Sequence, residues 1–160
     1  MLLYHGSNLA VGEPRLIEPS RGLDFGAGFY LTTSEGQAVR FSELVVKRRK
    51  SGAAIVGVYE FDMDAAEGAL AIRRFDSADA AWLGFVAENR LRVYRGNAYD
   101  MVRGAVANDT VMPTIQLYIG GLMSEEAALV ALKASNLADQ ICLKTERALS
   151  LLTFTRAYEV

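Results

Sequence analysis

The chain has 160 residues, of which 51% are hydrophobic and 22% are charged, and its net charge is -2. We expect one domain over residues 1–160, because this length and composition allow a single core. The single cysteine and single histidine exclude a disulfide framework and a multi-histidine metal site. The net charge gives no general attraction to nucleic acid or to an anionic membrane. There is neither an apolar run that could span a bilayer nor a signal-peptide pattern, so we expect a cytoplasmic protein.

The predicted elements are short strands and helices in irregular alternation. Strands are predicted within residues 2–7, 28–33, 53–62, 98–109, 140–145 and 153–160. Helices are predicted after Ser34, within residues 77–90, near Pro113, after Ser124 and, as a single turn, at 146–152. Residues 8–23 contain two prolines and two glycines and predict a long loop. Because no regular βαβ rhythm is present, the pattern favours an α+β domain with small mixed or antiparallel sheets.

A basic run, Lys47 to Lys50, ends the helix predicted after Ser34. Cations at a helix C-terminus interact favourably with the helix dipole, which is a sufficient structural reason for the run. A local contact with phosphate or nucleic acid is the alternative.

The stretch LDFGAGFYLTT, residues 23–33, places permissive glycines beside two aromatic residues. It does not match the dinucleotide fingerprint G-x-G-x-x-G, because position 31 is leucine and the following segment is strand-like. A glycine turn that leads into a strand, with Tyr30 half-buried, is the structural interpretation. His5 followed by Gly6 is the second unusual pair, since glycine allows a ligand to approach the main chain closely.

In their order along the chain, YHGS at 4–7, GAGFYLTT at 26–33 and a polar residue opening a late strand resemble the ADP-ribosyltransferase superfamily. The closest branch is the H-Y-E type, shared by diphtheria toxin and the poly(ADP-ribose) polymerases. The ordered motifs YHGS, DFGxGFYLT, VANDxxxP and QIxLxT also resemble the small bacterial DUF3990 family over nearly the whole chain. The resemblance implies a split β-sheet clamp with flanking helices around NAD+, which is a co-substrate, and no metal.

The resemblance also implies roles for individual residues. His5 would bind a ribose hydroxyl, and Gly6 would offer its N–H and C=O to the nicotinamide carboxamide. Tyr30 and Phe41, eleven positions apart, would stack on opposite sides of the nicotinamide ring. The remaining members of the implied binding set are Ser7 and Gly28.

The late strand departs from the family pattern, because Gln140 occupies the position where a glutamate usually stabilises the oxocarbenium ion. An amide can still hold a ribose hydroxyl, but it carries no negative charge. A carboxylate elsewhere would have to supply that charge, and the candidates are Asp139, Asp109, Asp100 and Glu146. We expect Asp109 to be the donor, with a helix N-cap as its structural alternative. The expected catalytic residues are therefore Gln140, Tyr30, His5 and Asp109.

The resemblance implies a mono-ADP-ribosyltransferase that cleaves the nicotinamide–ribose bond and modifies a macromolecular acceptor. Such an enzyme would suit the toxin of a bacterial toxin–antitoxin pair, with an antitoxin protein as its partner. Two alternatives stay open: an NAD+ glycohydrolase or phosphorylase on the same fold, and a catalytically silent module that binds NAD+ or ADP-ribose. The glutamine at position 140 favours the silent module.

Overall fold

A computed structural model describes all 160 residues as an α+β fold with two small sheets and six helices. The strands are β1 Leu2–Ser7, β2 Phe29–Leu31, β3 Ile55–Phe61, β4 Ile72–Arg74, β5 Met101–Ala105, β6 Asp139–Leu143 and β7 Leu152–Glu159. The helices are α1 Glu35–Arg49, α2 Met63–Ala69, α3 Ala80–Arg90, α4 Met112–Ile119, α5 Glu125–Lys133 and α6 Glu146–Leu149. The α+β class is confirmed, whereas α2 and β4 were not expected from the sequence.

The two sheets have different strand orders. The first sheet is antiparallel, in the order β1-β3-β7, and the second has the order β2-β6-β5-β4. In the second sheet β4 and β5 are parallel and the other neighbours are antiparallel. Between the sheets, Tyr4 of β1 and Thr32 just after β2 form an isolated bridge.

Two hydrophobic clusters cover opposite faces of the second sheet. The first surrounds helices α3 to α5 and includes Phe25, Trp82, Phe85, Val102, Ile115 and Cys142. The second joins the two sheets and includes Leu3, Phe29, Leu31, Tyr59, Ile141 and Leu143. Strand residues alternate between faces, so Cys142 enters the first cluster while its neighbours Ile141 and Leu143 enter the second. Trp82 and Phe85 of α3 are both buried in the first cluster.

Side-chain caps fix several helix starts that the sequence predicted. The Ser34 hydroxyl accepts a hydrogen bond from the Gln37 N–H at 3.2 Å and begins α1. Ser124 accepts from the Ala127 N–H in the same way and begins α5. Each such cap satisfies a helix N–H that would otherwise lack a partner. None of the six helices is long and apolar enough to cross a membrane.

Candidate functional site

The candidate site lies where β1 and β2 separate. Tyr4 and Thr32 exchange two main-chain hydrogen bonds, of 2.9 and 3.0 Å, at the bridge between the sheets. Both main-chain groups of Tyr4 therefore face β2. Alternation along the strand directs the N–H and C=O of Gly6 toward the same edge, although β1 and β2 are not paired there. The main-chain donor and acceptor of Gly6 are consequently directed toward the edge between the two sheets, although Gly6 itself is buried.

His5 occupies this opening and closes it on one side. Its Nδ1 lies 2.7 Å from the carbonyl oxygen of Tyr30, and its ring stacks on Phe29 with the centroids 4.4 Å apart. A carbonyl oxygen can only accept, so Nδ1 carries the proton and the neutral ring presents Nε2 as an acceptor. Burial lowers the pKa of His5, and the Tyr30 carbonyl partly offsets this shift. Nε2 has no hydrogen-bond partner in the protein, so it can accept a hydrogen bond from a ligand hydroxyl that reaches this side of the ring.

The ring of Tyr30 lies on the other face of β2 from His5. Phe29 and Tyr30 are consecutive in the strand and therefore point to opposite faces, and His5 stacks on Phe29. The Tyr30 hydroxyl donates to Gly26 O at 2.6 Å and accepts from Phe25 N–H at 3.0 Å. Burial is the largest cause of a pKa well above the usual value for Tyr30. The structure thus joins His5 to the main chain of Tyr30, and a ligand that meets both rings must cross the edge of β2.

Helix α1 covers Gly6 and carries the exposed Phe41. A Cβ at Gly6 would lie 2.1 Å from Ala38 O and 2.8 Å from Ser42 N, so only glycine allows the helix this close to β1. Phe41, one turn beyond Ala38, is 42% exposed. Its ring contacts the Arg48 guanidinium, 5.7 Å from the ring centroid. Phe41 and Tyr30 are not in ring–ring contact.

Ser7 and Gly28 both lie against neighbouring strands. Ser7 is the last residue of β1, is half-buried and pairs with Ile55 of β3. A Cβ at Gly28 would lie 2.3 Å from Cys142 Sγ and 2.7 Å from Leu143 O. Gly28 is therefore required by the packing of the glycine turn on β6.

Gln140 belongs to a buried polar cluster that the sequence did not reveal. Its Nε2 donates to Asp24 Oδ2 at 2.9 Å and lies 3.4 Å from Ala105 O. Asp24 is only 7% exposed, and its Oδ1 accepts from Arg90 Nε at 2.7 Å and forms an ion pair with Arg90 Nη2 at 2.6 Å. The two acceptors around Nε2 fix the amide orientation, and Oε1 has no hydrogen-bond partner in the protein. The buried amide therefore keeps one unused acceptor, Oε1, while the Asp24 carboxylate accepts from its nitrogen.

Asp139 is used to tie β2 to β6. Its Oδ1 accepts from Thr33 Oγ1 at 2.7 Å, from Thr33 N at 3.1 Å and from Thr32 Oγ1 at 3.3 Å. The Arg103 guanidinium lies 3.0 Å from Oδ2, an ion pair without hydrogen-bond geometry. The negative charge of Asp139 is thus paired with Arg103. Its Oδ1 accepts hydrogen bonds from the residues that follow Tyr30 in the chain.

The other expected charge donors lie apart from Gln140. Asp100 and Glu146 are at the opposite end of the β5–β6 pair, because Gly104 is paired with Gln140 whereas the Asp100 carbonyl accepts from Lys144 N–H. Four residues of strand separate the two ends by about 13 Å. Hydrogen bonds from Ala71 N–H, the largest cause, and from the Thr145 hydroxyl lower the pKa of Asp100.

Asp109 is exposed in the turn before α4, and its side chain makes no hydrogen bond or ion pair. The N-cap of α4 is Val111, without a side-chain cap bond, so the N-cap interpretation of Asp109 is wrong. Asn108 accepts from Thr110 N–H at 3.0 Å and stabilises this turn instead. The charged group in contact with Gln140 is Asp24. Asp24 lies between Leu23 and Phe25, just before the glycine turn, and no local sequence pattern predicted that it is buried.

Comparison with known proteins gives a family without an assigned activity. The family model described as "Protein of unknown function (DUF3990)" matches residues 1–154. No curated protein and no solved structure matches the chain.

Proposed function

The chain belongs to the DUF3990 family, and from the geometry of its site we propose that it is an NAD+-dependent mono-ADP-ribosyltransferase. The observation on which this proposal depends is the contact between His5 Nδ1 and Tyr30 O. It brings together two motifs that are 25 residues apart, at the point where the sheets separate. The contact also leaves Nε2 without a hydrogen-bond partner in the protein.

His5 and Gly6 have the hydrogen-bonding groups that the two ends of a nicotinamide ribonucleoside require. A ribose hydroxyl can donate to the neutral Nε2 of His5, which its lowered pKa keeps unprotonated at neutral pH. A carboxamide needs one donor and one acceptor, which the N–H and C=O of Gly6 provide. Phe41 would offer its exposed ring to one side of the nicotinamide, and the half-buried Tyr30 ring would meet the other at the edge of β2.

The proposed reaction breaks the bond between ribose C1′ and the nicotinamide nitrogen. Nicotinamide leaves with the bonding electrons, an acceptor nucleophile bonds to C1′, and the proton of that nucleophile passes to water. Gln140 lies, like the Tyr30 ring, on the face of the second sheet opposite His5, so its Oε1 would hold a hydroxyl only of a ribose that crosses the edge of β2. Because the amide is neutral, the site lacks a unit charge that would contribute about 4 kcal/mol at 4 Å and an effective dielectric of about 20. We expect slow turnover for this reason.

A second candidate function, the silent binding module, is favoured by the same glutamine. Asp24 is the nearest carboxylate to Gln140, and its charge is opposed by Arg90. A net-neutral cluster favours binding of an uncharged ribose without stabilising a cation. The two functions differ in whether nicotinamide is released.

The experiment is incubation with NAD+ labelled in its adenylate phosphate, in the presence of a bacterial extract. Free nicotinamide and label in macromolecules are both measured. Transferase activity predicts both products, hydrolase or phosphorylase activity predicts nicotinamide with label only in small molecules, and a silent module predicts neither. His5→Ala should lower nicotinamide release at least about tenfold, because one hydrogen bond to the reacting sugar is lost. Arg95→Ala, at an exposed loop position, is the control and should leave the release unchanged.

Absence of nicotinamide with wild-type protein would refute the transferase. Equal release by His5→Ala and wild type would remove the proposed site. Folding of each variant is checked by its urea unfolding curve.

A further inference from the structure

The exposed side of α1 forms one continuous basic and aromatic surface. We name it the α1 outer surface and define it by Arg40, Phe41, Leu44, Lys47 and Arg48, all of which are exposed. At 100° per residue these five positions fall within about 120° of the helix circumference. Phe41 and Leu44 are 42% and 38% exposed. This sector contains no carboxylate.

The surface concentrates positive charge on a protein that is otherwise acidic. Residues 40–50 contain five Lys or Arg and one Glu, which leaves 12 Lys or Arg and 18 Asp or Glu for the other 149 residues. The helix dipole accounts for cations in the last turn, Lys47 to Arg49. It does not account for Arg40, which lies more than two turns before the helix end, or for two exposed apolar side chains beside the cations.

We propose that the α1 outer surface binds a single-stranded nucleic acid. Proteins bind single strands by combining cations that contact phosphates with aromatic rings on which bases stack. Arg40 and the pair Lys47 and Arg48 lie on either side of Phe41 and Leu44 along the helix, so phosphates can be contacted on both sides of the aromatic ring. The Arg48 guanidinium is already 5.7 Å from the Phe41 ring centroid. The acidic remainder of the chain confines the strand to this face by charge repulsion.

Binding is tested without NAD+, by fluorescence anisotropy of a labelled oligouridylate of about 12 nucleotides. The variant is the triple substitution Arg40→Ser, Lys47→Ser and Arg48→Ser. The control is the triple substitution Arg15→Ser, Arg95→Ser and Lys133→Ser, which removes the same charge from exposed positions elsewhere. Three phosphate contacts to a single strand contribute about 2 to the slope of log K against log salt. Between about 50 and about 200 mM salt, wild-type affinity should fall about 20-fold more than that of the α1 variant.

The control should retain the wild-type slope. Phe41→Leu should lower affinity at least about fivefold with the slope unchanged, since stacking does not depend on salt in this way. No binding by wild type at about 50 mM salt, or equal slopes for wild type and the α1 variant, would overturn the proposal. Binding of polyglutamate in place of oligouridylate would assign the surface to an acidic protein and would also overturn it. Because nicotinamide release is measured separately, failure here leaves the proposed reaction standing.

Discussion

Replacing Gln140 by glutamate should destabilise the protein in a pH-dependent way. The Gln140 amide nitrogen lies 2.9 Å from Asp24 Oδ2, so the substitution sets two carboxylates at that distance. Their repulsion is about 6 kcal/mol at an effective dielectric of about 20. If Arg90, 2.6 Å from the other oxygen of Asp24, offsets roughly half, about 3 kcal/mol remains, or about two pKa units on the introduced carboxyl.

The direction of this pH dependence follows from the linkage between proton binding and folding. An introduced carboxyl whose folded pKa is raised from about 4.3 to about 6.5 causes no loss of stability below about pH 4.3. The loss develops as the pH rises through the folded value. Relative to wild type, the free energy of unfolding of Gln140→Glu should therefore be about 2 kcal/mol lower at pH 8 than at pH 5.

Urea unfolding at the two pH values measures this difference. The double variant Asp24→Asn, Gln140→Glu keeps one carboxylate and one amide in the cluster, and it should recover most of the stability. It should also release nicotinamide faster than wild type, since it moves the charge to position 140. A Gln140→Glu protein that is equally destabilised at both pH values would refute the buried Asp24–Gln140 contact.

Three further predictions concern the junction and its surroundings. Gly6→Ala should lower the free energy of unfolding by about 1–3 kcal/mol or more, because its Cβ would lie 2.1 Å from Ala38 O. The control Gly84→Ala, whose Cβ would meet no atom within 4 Å, should instead raise the free energy of unfolding by about 0.5–1 kcal/mol. Similar effects of the two substitutions in urea unfolding would contradict the α1–β1 packing. The NMR titration midpoint of His5 should lie below the ordinary pKa of 6.5, because the residue is buried. Its contribution to stability is therefore present above about pH 6.5 and is lost as the pH falls through the pKa of the folded protein. A midpoint above 6.5 would contradict the burial of His5. Burial raises the pKa of Cys142 to about 12. A thiol reagent at pH 8 should therefore modify the protein only under unfolding conditions. Rapid labelling of the folded protein would contradict the burial of this side chain.

Local patterns predicted most elements of the fold because their signals are contained in a few neighbouring residues. Ser34 and Ser124 cap helices as their positions indicated, and β3 coincides with the apolar run at 53–62. Helix α2, MDAAEGA, was missed because it is short and contains a glycine. The three-residue β4 was missed because it owes its pairing to β5 rather than to its own sequence.

The candidate site was only partly predictable, because its geometry depends on contacts between distant segments. The motifs containing His5 and Tyr30 do meet, but through an imidazole and a main-chain carbonyl. The strand alternation that places Phe29 against His5 sends the Tyr30 ring to the other face. Asp24, 116 residues from Gln140, could not be linked to it by any local pattern.

The most direct test of the proposed site uses the only histidine of the chain. In protein labelled with 15N at the imidazole, NAD+ should cause a saturable shift of the Nε2 resonance of His5, with Nδ1 remaining protonated. Saturation is expected at or below about 1 mM, the upper range of typical KM values. An imidazole spectrum unchanged by NAD+ at that concentration would contradict the account.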